Sequence, residues 1–139
     1  MLLKFTINAK AVPKARPRMN KFGSVYTPKK TRDFEQLVAH HAYQYMISND
    51  CKLFENAVEA ILVIAKKYPQ KWSKEKKEQA MNGNVYWTSK PDIDNLEKSV
   101  LDGLNGICWL DDSQVVKTQC EKIYSDKDFI KIELRQLDG

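Results

Sequence analysis

Ten residues near the middle of the chain, AVEAILVIAK at positions 57–66, form a nearly continuous apolar run that is rich in β-branched side chains. A run of this length and composition is typical of a buried strand. A buried strand needs other elements packed against it, so the rest of the chain must supply strands and helices that surround residues 57–66.

The segments on either side of this run have strand and helix patterns. Residues 2–9 alternate apolar and polar side chains, which predicts a half-buried strand. Asp94 is predicted to be the N-cap of a helix, with Glu97 at the capping-box position. This helix carries one apolar stripe and ends at Asn105-Gly106; the stripe consists of Leu96, Val100, Leu101 and Leu104.

The remaining predicted elements follow from prolines, caps and periodicity. They are a loop over residues 10–30 with a short hairpin around Gly23, a helix from Thr31 to about Ser48, an exposed helix capped by Ser73, and strands over 84–90, 115–124 and 130–134. The turn SDKD predicts a final hairpin, which excludes a purely parallel sheet. The predicted fold class is α+β: a single domain over residues 1–139, with a mixed β-sheet packed against two main helices.

Composition excludes several classes of protein. Apolar residues make up 42% and charged residues 29%, which is typical of a globular chain rather than a disordered one. No apolar run approaches the roughly 18 residues of a membrane span, and the N-terminus does not resemble a signal peptide. The chain is therefore predicted to be cytoplasmic, with no membrane partner. Its three cysteines, without a C-x-x-C motif, predict reduced thiols rather than disulfides or a zinc site.

Basic residues are concentrated at the N-terminus, where residues 1–30 contain eight lysines and arginines and no acid. Prolines next to Arg16 and Arg18 stiffen this loop, which lowers the entropy lost on binding. Such a cluster suits a polyanionic partner such as nucleic acid. A second basic run, over residues 66–77, indicates either the same function or a solvated face that maintains solubility.

Carboxylates are gathered between residues 90 and 114, in KPDIDNLEKSVLDGLNGICWLDDSQ. Asp92 and Asp94 lie at the end of a predicted strand that leads into a helix, and Asp111 and Asp112 lie at the start of the next strand. The helix could bring this next strand back beside the first, so that the four acids lie close together. Three or four acids brought together repel one another unless a cation lies between them, and Mg²⁺ prefers oxygen ligands. Lys98, one helical turn after Asp94, could stabilise charge on a phosphate, so the set suits phosphodiester hydrolysis.

A purely structural explanation of the same residues is also available. Asp94 can cap a helix, Asp92 can be a surface acid, and Asp111-Asp112 can form a turn. Other chemistries find less support, because the EF-hand, H-x-x-x-H, G-x-S-x-G and phosphate-loop patterns are all absent.

The residues KPDIDNLEKSVLDGLNG and WLDDSQVV closely resemble the motifs of the RusA family of Holliday junction resolvases. The basic segment VPKARPRMN and the order of elements are similar to that family as well, so the resemblance covers most of the chain as one RusA-like domain. Residues 49–85 carry no motif of the family.

This resemblance implies a Mg²⁺-dependent endonuclease, with Mn²⁺ possible, that binds four-way or branched DNA as a homodimer and nicks two opposing strands. The matching metal-site residues are Asp92, Asp94 and Asp112, and the catalytic lysine is Lys98. The basic loop residues that would contact phosphates are Lys14, Arg16 and Arg18. Asp111 matches the first acid of the family's aspartate pair, whose role is less certain.

The leading hypothesis is therefore a metal-dependent, structure-selective endodeoxyribonuclease that resolves Holliday junctions in DNA recombination and repair. Two alternatives stay open: a non-catalytic dimer that binds junctions or other DNA, and a less selective nuclease acting on flaps and branched DNA. Cleavage or retention of synthetic DNA structures distinguishes them.

Overall fold

Residues 1–138, which a computed structural model describes, fold around the apolar run at 57–66. The elements in chain order are β1 (Leu2–Ile7), β2 (Arg18–Met19), β3 (Val25–Tyr26), α1 (Lys29–Ser48), β4 (Val58–Lys67), α2 (Lys74–Met81), α3 (Ile93–Leu104), a short 3₁₀ turn (Asp112–Gln114), β5 (Val115–Ser125) and β6 (Phe129–Gln136). The main sheet has the order β1-β6-β4-β5, so the apolar run, as β4, has a neighbour on each edge.

The sheet is mixed, as predicted. Strand β4 is parallel to β5 and antiparallel to β6, and β6 is antiparallel to β1. With three helices beside this sheet, the α+β class is confirmed. The parallel pair has a structural consequence, because its long connection must carry α2 and α3 from the end of β4 back to the start of β5.

One face of the sheet forms the hydrophobic core with α1 and α3. Alternate residues of β4 are buried there, whereas Ile61 and Val63 between them are only half-buried. The same core cluster contains Phe34 and Val38 of α1 and the predicted stripe of α3. The run at 57–66 is thus central in the sheet but covered by helices on one face only. Within residues 1–138, no helix combines the length and the apolarity needed to cross a membrane.

The prediction that the last two strands form a hairpin is wrong, because β4 lies between β5 and β6. Their three-residue connection passes over the end of β4 and is bonded to it. The Lys67 amide donates to Oδ1 of Asp128 at 2.8 Å, and the Tyr68 amide donates to the Ser125 carbonyl at 3.0 Å. These bonds satisfy the polar groups at the end of β4, so a short connection can cross the strand instead of turning beside it.

The predicted strand over residues 84–90 is absent, because this segment is irregular. Both edges of β4 are already paired, and residues 84–90 do not pair with the open outer edge of β5. The segment is instead fixed by side chains. Trp87 is buried, and the Lys122 ammonium donates to the carbonyls of Ser89 at 2.9 Å and Pro91 at 2.8 Å.

The start of α2 and the short hairpin agree with the predictions, whereas the start of α1 differs. Ser73 caps α2, with its hydroxyl accepting from the Lys76 amide, and Gly23 lies at φ +82° in the turn between β2 and β3, both as predicted. Helix α1, however, begins at Lys29 rather than at Thr31. The Thr31 hydroxyl bonds the N-terminal loop instead, as described below.

Candidate active site

Asp92 and Asp94 lie at the start of α3, on a chain segment that other residues hold in place. The bonds from Lys122 to the carbonyls of Ser89 and Pro91 end one residue before Asp92. Asp92 is the N-cap of α3, but its side chain makes no capping hydrogen bond, and Asp94 lies in the first turn. The prediction that Asp94 is the N-cap is therefore wrong. Because the Asp92 carboxylate does not cap the helix, its oxygens are available to bind another group.

Asp111 and Asp112 have different structural environments, although they are adjacent. The Asp111 side chain caps the 3₁₀ turn by accepting from the Ser113 amide at 3.1 Å. The Asp112 carboxylate is exposed and accepts a 3.4 Å hydrogen bond from the indole of Trp109, which is fully buried. Asp111 thus stabilises the turn, and a rigid indole orients Asp112.

Gln114 fixes this turn to the rest of the fold. Its side-chain oxygen accepts from the amides of Leu110 and Asp111, at 2.9 and 3.0 Å. Its side-chain nitrogen donates to the carbonyls of Phe54 and Asn56, at 2.9 and 3.1 Å. A single amide side chain therefore connects the loop that carries Asp112 to the segment before β4.

Asp94 and Asp112 line one cavity of about 250 Å³, which we call the carboxylate cavity. Its lining residues are Asp94, Glu97, Lys98, Leu101, Asp102, Asp112 and Val115. Five of them come from one face of α3, because their spacing follows the helical repeat. Asp94 and Asp112, from two separate parts of the chain, thus line the same cavity, whereas their joint binding of one cation stays a prediction.

Asp92 lies outside the carboxylate cavity. It lines a neighbouring hollow of about 600 Å³ together with Asp94, Glu121 and Lys122. Within residues 1–138, no group of three or more His, Cys, Asp or Glu side chains is close enough to hold a metal ion. The oxygen donors suit Mg²⁺ or Mn²⁺, but binding by all three aspartates stays a prediction, and it requires Asp92 to turn toward the cavity.

Two acids of the cavity, Glu97 and Asp102, were not predicted to belong to the site. The Asp102 carboxylate lies 3.8 Å from the ammonium of Lys98, whose side chain is 62% exposed. Glu97 also faces Cys120, and burial first, then the charge of Glu97, raises the pKa of this thiol to about 12. The sequence does carry a signal for both acids, since they lie three and eight residues after Asp94 on the same helical face.

The N-terminal basic loop is fixed between α1 and α3 up to residue 15. The Ser99 hydroxyl donates to the Val12 carbonyl at 2.7 Å, and the Lys14 amide donates to the Asn95 carbonyl at 2.8 Å. The Thr31 hydroxyl donates to the Pro13 carbonyl and accepts from the Ala15 amide. Beyond this point, the predicted DNA-contacting residues Arg16 and Arg18 are exposed.

Lys14, the third predicted phosphate contact, is placed differently. Its ammonium lies 2.7 Å from Glu35 of α1 and 3.0 Å from Asp102 of α3, and about 80% of each side chain is buried. Burial alone would lower the pKa of Lys14, but the hydrogen bonds and charges of Asp102 and Glu35 raise it above 10.5. Phosphate contact by Lys14 stays a prediction; in this conformation, the ammonium joins the loop to two helices.

Replacing Lys14 by methionine should lower the free energy of unfolding by about 2 kcal/mol, because Glu35 would lose its cation and Asp102 would keep only the exposed Lys98 ammonium, 3.8 Å away. Since the folded pKa of Lys14 is raised, its stabilising contribution is fully present below pH 10.5 and is lost as the pH rises through the folded pKa. The difference between variant and wild type in urea unfolding should therefore persist at neutral pH and decrease only in alkaline solution.

Lys29→Met is the matched control for this experiment. Lys29 pairs with Asp33 at 2.8 Å, but the two side chains are 79% and 52% exposed. An exposed pair of this kind contributes about 0.5 kcal/mol or less. Equal effects of the two substitutions would contradict the structural function assigned to Lys14.

The second basic run contains lysines that lie over aromatic rings. The ammonium of Lys76 is 4.1 Å from the ring centre of Trp72, and that of Lys77 is 5.5 Å from the ring centre of Tyr68. Such contacts are weak at exposed sites, about 0.5–1 kcal/mol each. They give these lysines a packing function, which neither requires nor excludes contact with DNA.

The sequence is similar to known proteins along nearly its whole length. The sequence matches the family described as "Endodeoxyribonuclease RusA" over residues 8–135. It is also similar to "Uncharacterized protein YqaN" of Bacillus subtilis (strain 168), with 33% identity over 148 aligned positions that cover 99% of this chain and 98% of that protein. The chain therefore belongs to the RusA family of endodeoxyribonucleases.

Proposed function

We propose that this protein is a divalent-metal-dependent endonuclease that resolves four-way DNA junctions. The observation that carries the proposal is the meeting of Asp94, from the start of α3, with Asp112, from the loop before β5, around one cavity that Lys98 also lines. In a family of endodeoxyribonucleases, this set of groups has the composition that phosphodiester hydrolysis requires.

Each residue of the set has a distinct function in this proposal. Asp92, Asp94 and Asp112 would hold Mg²⁺, or Mn²⁺ in its place. A bound divalent ion lowers the pKa of a coordinated water and neutralises charge on the scissile phosphate. The Lys98 ammonium, exposed beside the cavity, would donate to a phosphate oxygen, and Asp102 would keep Lys98 close to the acids.

The proposed form is a homodimer, because a four-way junction is nearly two-fold symmetric and a symmetric dimer presents two equivalent sites to two opposing strands. Arg16 and Arg18 would contact phosphates at the edge of each site, since both are exposed beyond the fixed part of the loop. Phosphate contacts fix position rather than base sequence, so selectivity for junctions would come from the shape of the DNA.

A second candidate is a DNA-binding protein that does not cleave. The observation that favours it is the lack, within residues 1–138, of three ligand side chains close enough to hold a metal ion. This candidate predicts retention of a junction on a gel without nicking in any divalent metal.

One experiment separates these candidates from a less selective nuclease. A synthetic four-way junction, a flap and a linear duplex are each incubated with the protein in Mg²⁺, in Mn²⁺ and in chelator. We expect paired nicks in the junction alone, with a divalent metal present, and binding without cleavage in chelator. Equal cleavage of the flap would favour a branched-DNA nuclease, and binding without cleavage in every metal would favour the second candidate.

A further inference from the structure

We propose that a groove beside the candidate active site binds an unpaired stretch of DNA, with bases against its walls and phosphates along its rim. The groove has a volume of about 1020 Å³ and lies between the N-terminal loop, the start of α1, the end of β4 and the segment around Trp87. We call it the N-terminal groove. The proposal deepens the proposed function, on which it rests for the identity of the ligand as DNA.

The walls of the N-terminal groove are largely apolar: Ala11, Val12, Leu37 and Pro91 are half-buried there, and Phe34, Ile64 and Trp87 also line it but are buried. Paired DNA offers such walls little to bind, because stacking covers the faces of its bases and its outer surface is phosphate. An unstacked base has two free faces and packs on apolar and aromatic side chains. The walls therefore favour unpaired nucleotides over a duplex.

Trp87 supplies a polar group that the fold leaves unused. Trp87 is only 7% exposed, and its indole nitrogen has no hydrogen-bond partner among residues 1–138. A buried donor without a partner costs about 1–3 kcal/mol, and proteins rarely leave one unpaired without a functional reason. In a groove that holds a nucleotide, a small movement of this ring would give the donor an acceptor on the base.

The rim of the groove is strongly basic. Six cationic side chains line it, namely Lys10, Arg18, Lys29, Lys30, Lys66 and Lys90, against two acids, Asp33 and Asp128. Both acids are engaged, because Asp33 pairs with Lys29 and Asp128 accepts from the Lys67 amide. The net charge of the rim thus complements a phosphate backbone.

Helix α1 adds to this positive rim. It begins at Lys29 without a side-chain cap, and its first turn contains no acid. The free amides and the positive end of the helix dipole therefore adjoin the lysines of the rim. A phosphate is the chemical group that fits this combination.

The N-terminal groove is continuous with the surroundings of Asp92. Pro13, Lys90 and Pro91 line the groove and also a hollow of about 490 Å³ that contains Asp92 and Asn95. A strand that passes Asp92 would run over Pro91 and enter the groove. At a branch point, where bases can be unpaired, this path would hold one strand away from its partner.

The test measures binding in chelator, so that cleavage does not contribute. Fluorescence anisotropy is recorded for the full chain with three labelled probes of about ten nucleotides: a single strand of thymidines, the same backbone without bases, and a duplex. We expect the single strand to bind about tenfold tighter than either other probe. Equal affinity for the strand with and without bases would overturn the proposal, because the apolar walls would then hold no base.

A triple variant tests the location. Lys10→Gln, Lys30→Gln and Lys90→Gln together should weaken binding of the single strand about tenfold or more and reduce the salt dependence by about two charges. None of these lysines has a carboxylate within 4.0 Å among residues 1–138. The control removes three exposed lysines outside the groove and outside both basic runs, Lys52, Lys127 and Lys131, and should change the affinity by less than about threefold. Equal losses would overturn the assignment.

The outcomes also separate this proposal from the proposed function. Preference for bases without cleavage of any junction would retain the groove and reject the nuclease. Cleavage of a junction by a protein that binds the backbone equally well with and without bases would retain the nuclease and reject the groove.

Discussion

Replacing Asp112 by asparagine should reduce metal-dependent cleavage of a four-way junction by about 10³-fold, or roughly 4 kcal/mol of transition-state stabilisation. The substitution keeps the size of the side chain and its acceptor for the Trp109 indole, but removes the charge that would bind the metal. Affinity for the junction in chelator should stay within about twofold, because phosphate contacts come from basic residues instead. Single-turnover cleavage and gel retention measure the two quantities separately.

Asp111→Asn is the matched control, since it makes the same chemical change at the adjacent position. The Asp111 side chain caps the 3₁₀ turn, and an asparagine oxygen can accept the same hydrogen bond from the Ser113 amide. Cleavage by this variant should stay within about threefold of wild type. If both substitutions abolish cleavage equally, or if neither does, Asp112 does not have the function that we propose. The loss seen with Asp112→Asn is also expected for Asp92→Asn and Asp94→Asn.

Gly103→Ala should be the most damaging conservative substitution in the core, with a loss of about 3 kcal/mol in the free energy of unfolding and about 10 °C in Tm. A methyl group on Gly103 would lie 2.8 Å from Cβ of Val38 and 2.9 Å from the backbone oxygen of Glu35. Neither atom belongs to a flexible side-chain end, so α1 and α3 would have to separate.

Whether Gly103→Ala lowers or raises the free energy of unfolding distinguishes close packing of α1 and α3 from an open helix surface. In a helix without such a contact, alanine is about 1 kcal/mol more favourable than glycine, so a stabilised Gly103→Ala variant would contradict the close helix packing. Gly83→Ala is a useful comparison, because Gly83 has open space around it but lies at φ +81°. Its cost comes from backbone strain alone and should be about 1–2 kcal/mol. Thermal and urea unfolding measure both variants.

Separation of α1 and α3 would also disturb the site. Glu35 on α1 and Asp102 on α3 both bind the Lys14 ammonium, and Asp102 lies beside Lys98. The close approach at Gly103 therefore maintains the distance that this ion-pair cluster requires. We expect Gly103→Ala to lower cleavage as well as stability, through the position of Asp102 rather than through any contact with DNA.

Local patterns were reliable where the chain needs no distant partner to form the structure. The apolar stripe of α3, the Ser73 cap and the turn at Gly23 were all predicted correctly, because the residues that determine them lie within a few positions of one another. The order of motifs also predicted that Asp94 and Asp112 would lie near each other; both line the carboxylate cavity, and their binding of a shared cation stays a prediction.

The two errors in the strands share one cause, which is that strand pairing depends on distant partners. Residues 84–90 have β-forming side chains but pair with no strand; the segment is held instead by Lys122, which donates to the carbonyls of Ser89 and Pro91. The short connection before β6 has the length of a hairpin turn, yet its hydrogen bonds go to the end of β4. No local pattern contains this information, because it depends on which strand occupies which position in the sheet.

The sequence by itself determined most of the element types, since these follow from periodicity and caps. The family and the residues proposed for hydrolysis came from motifs that resemble those of the RusA family. Only the tertiary structure decided that Lys14 joins two helices, that Asp111 is a cap, and that Asp102 belongs to the cavity. A charged side chain can bind whichever opposite charge the fold brings within about 4 Å, and only the packing of distant elements selects that partner.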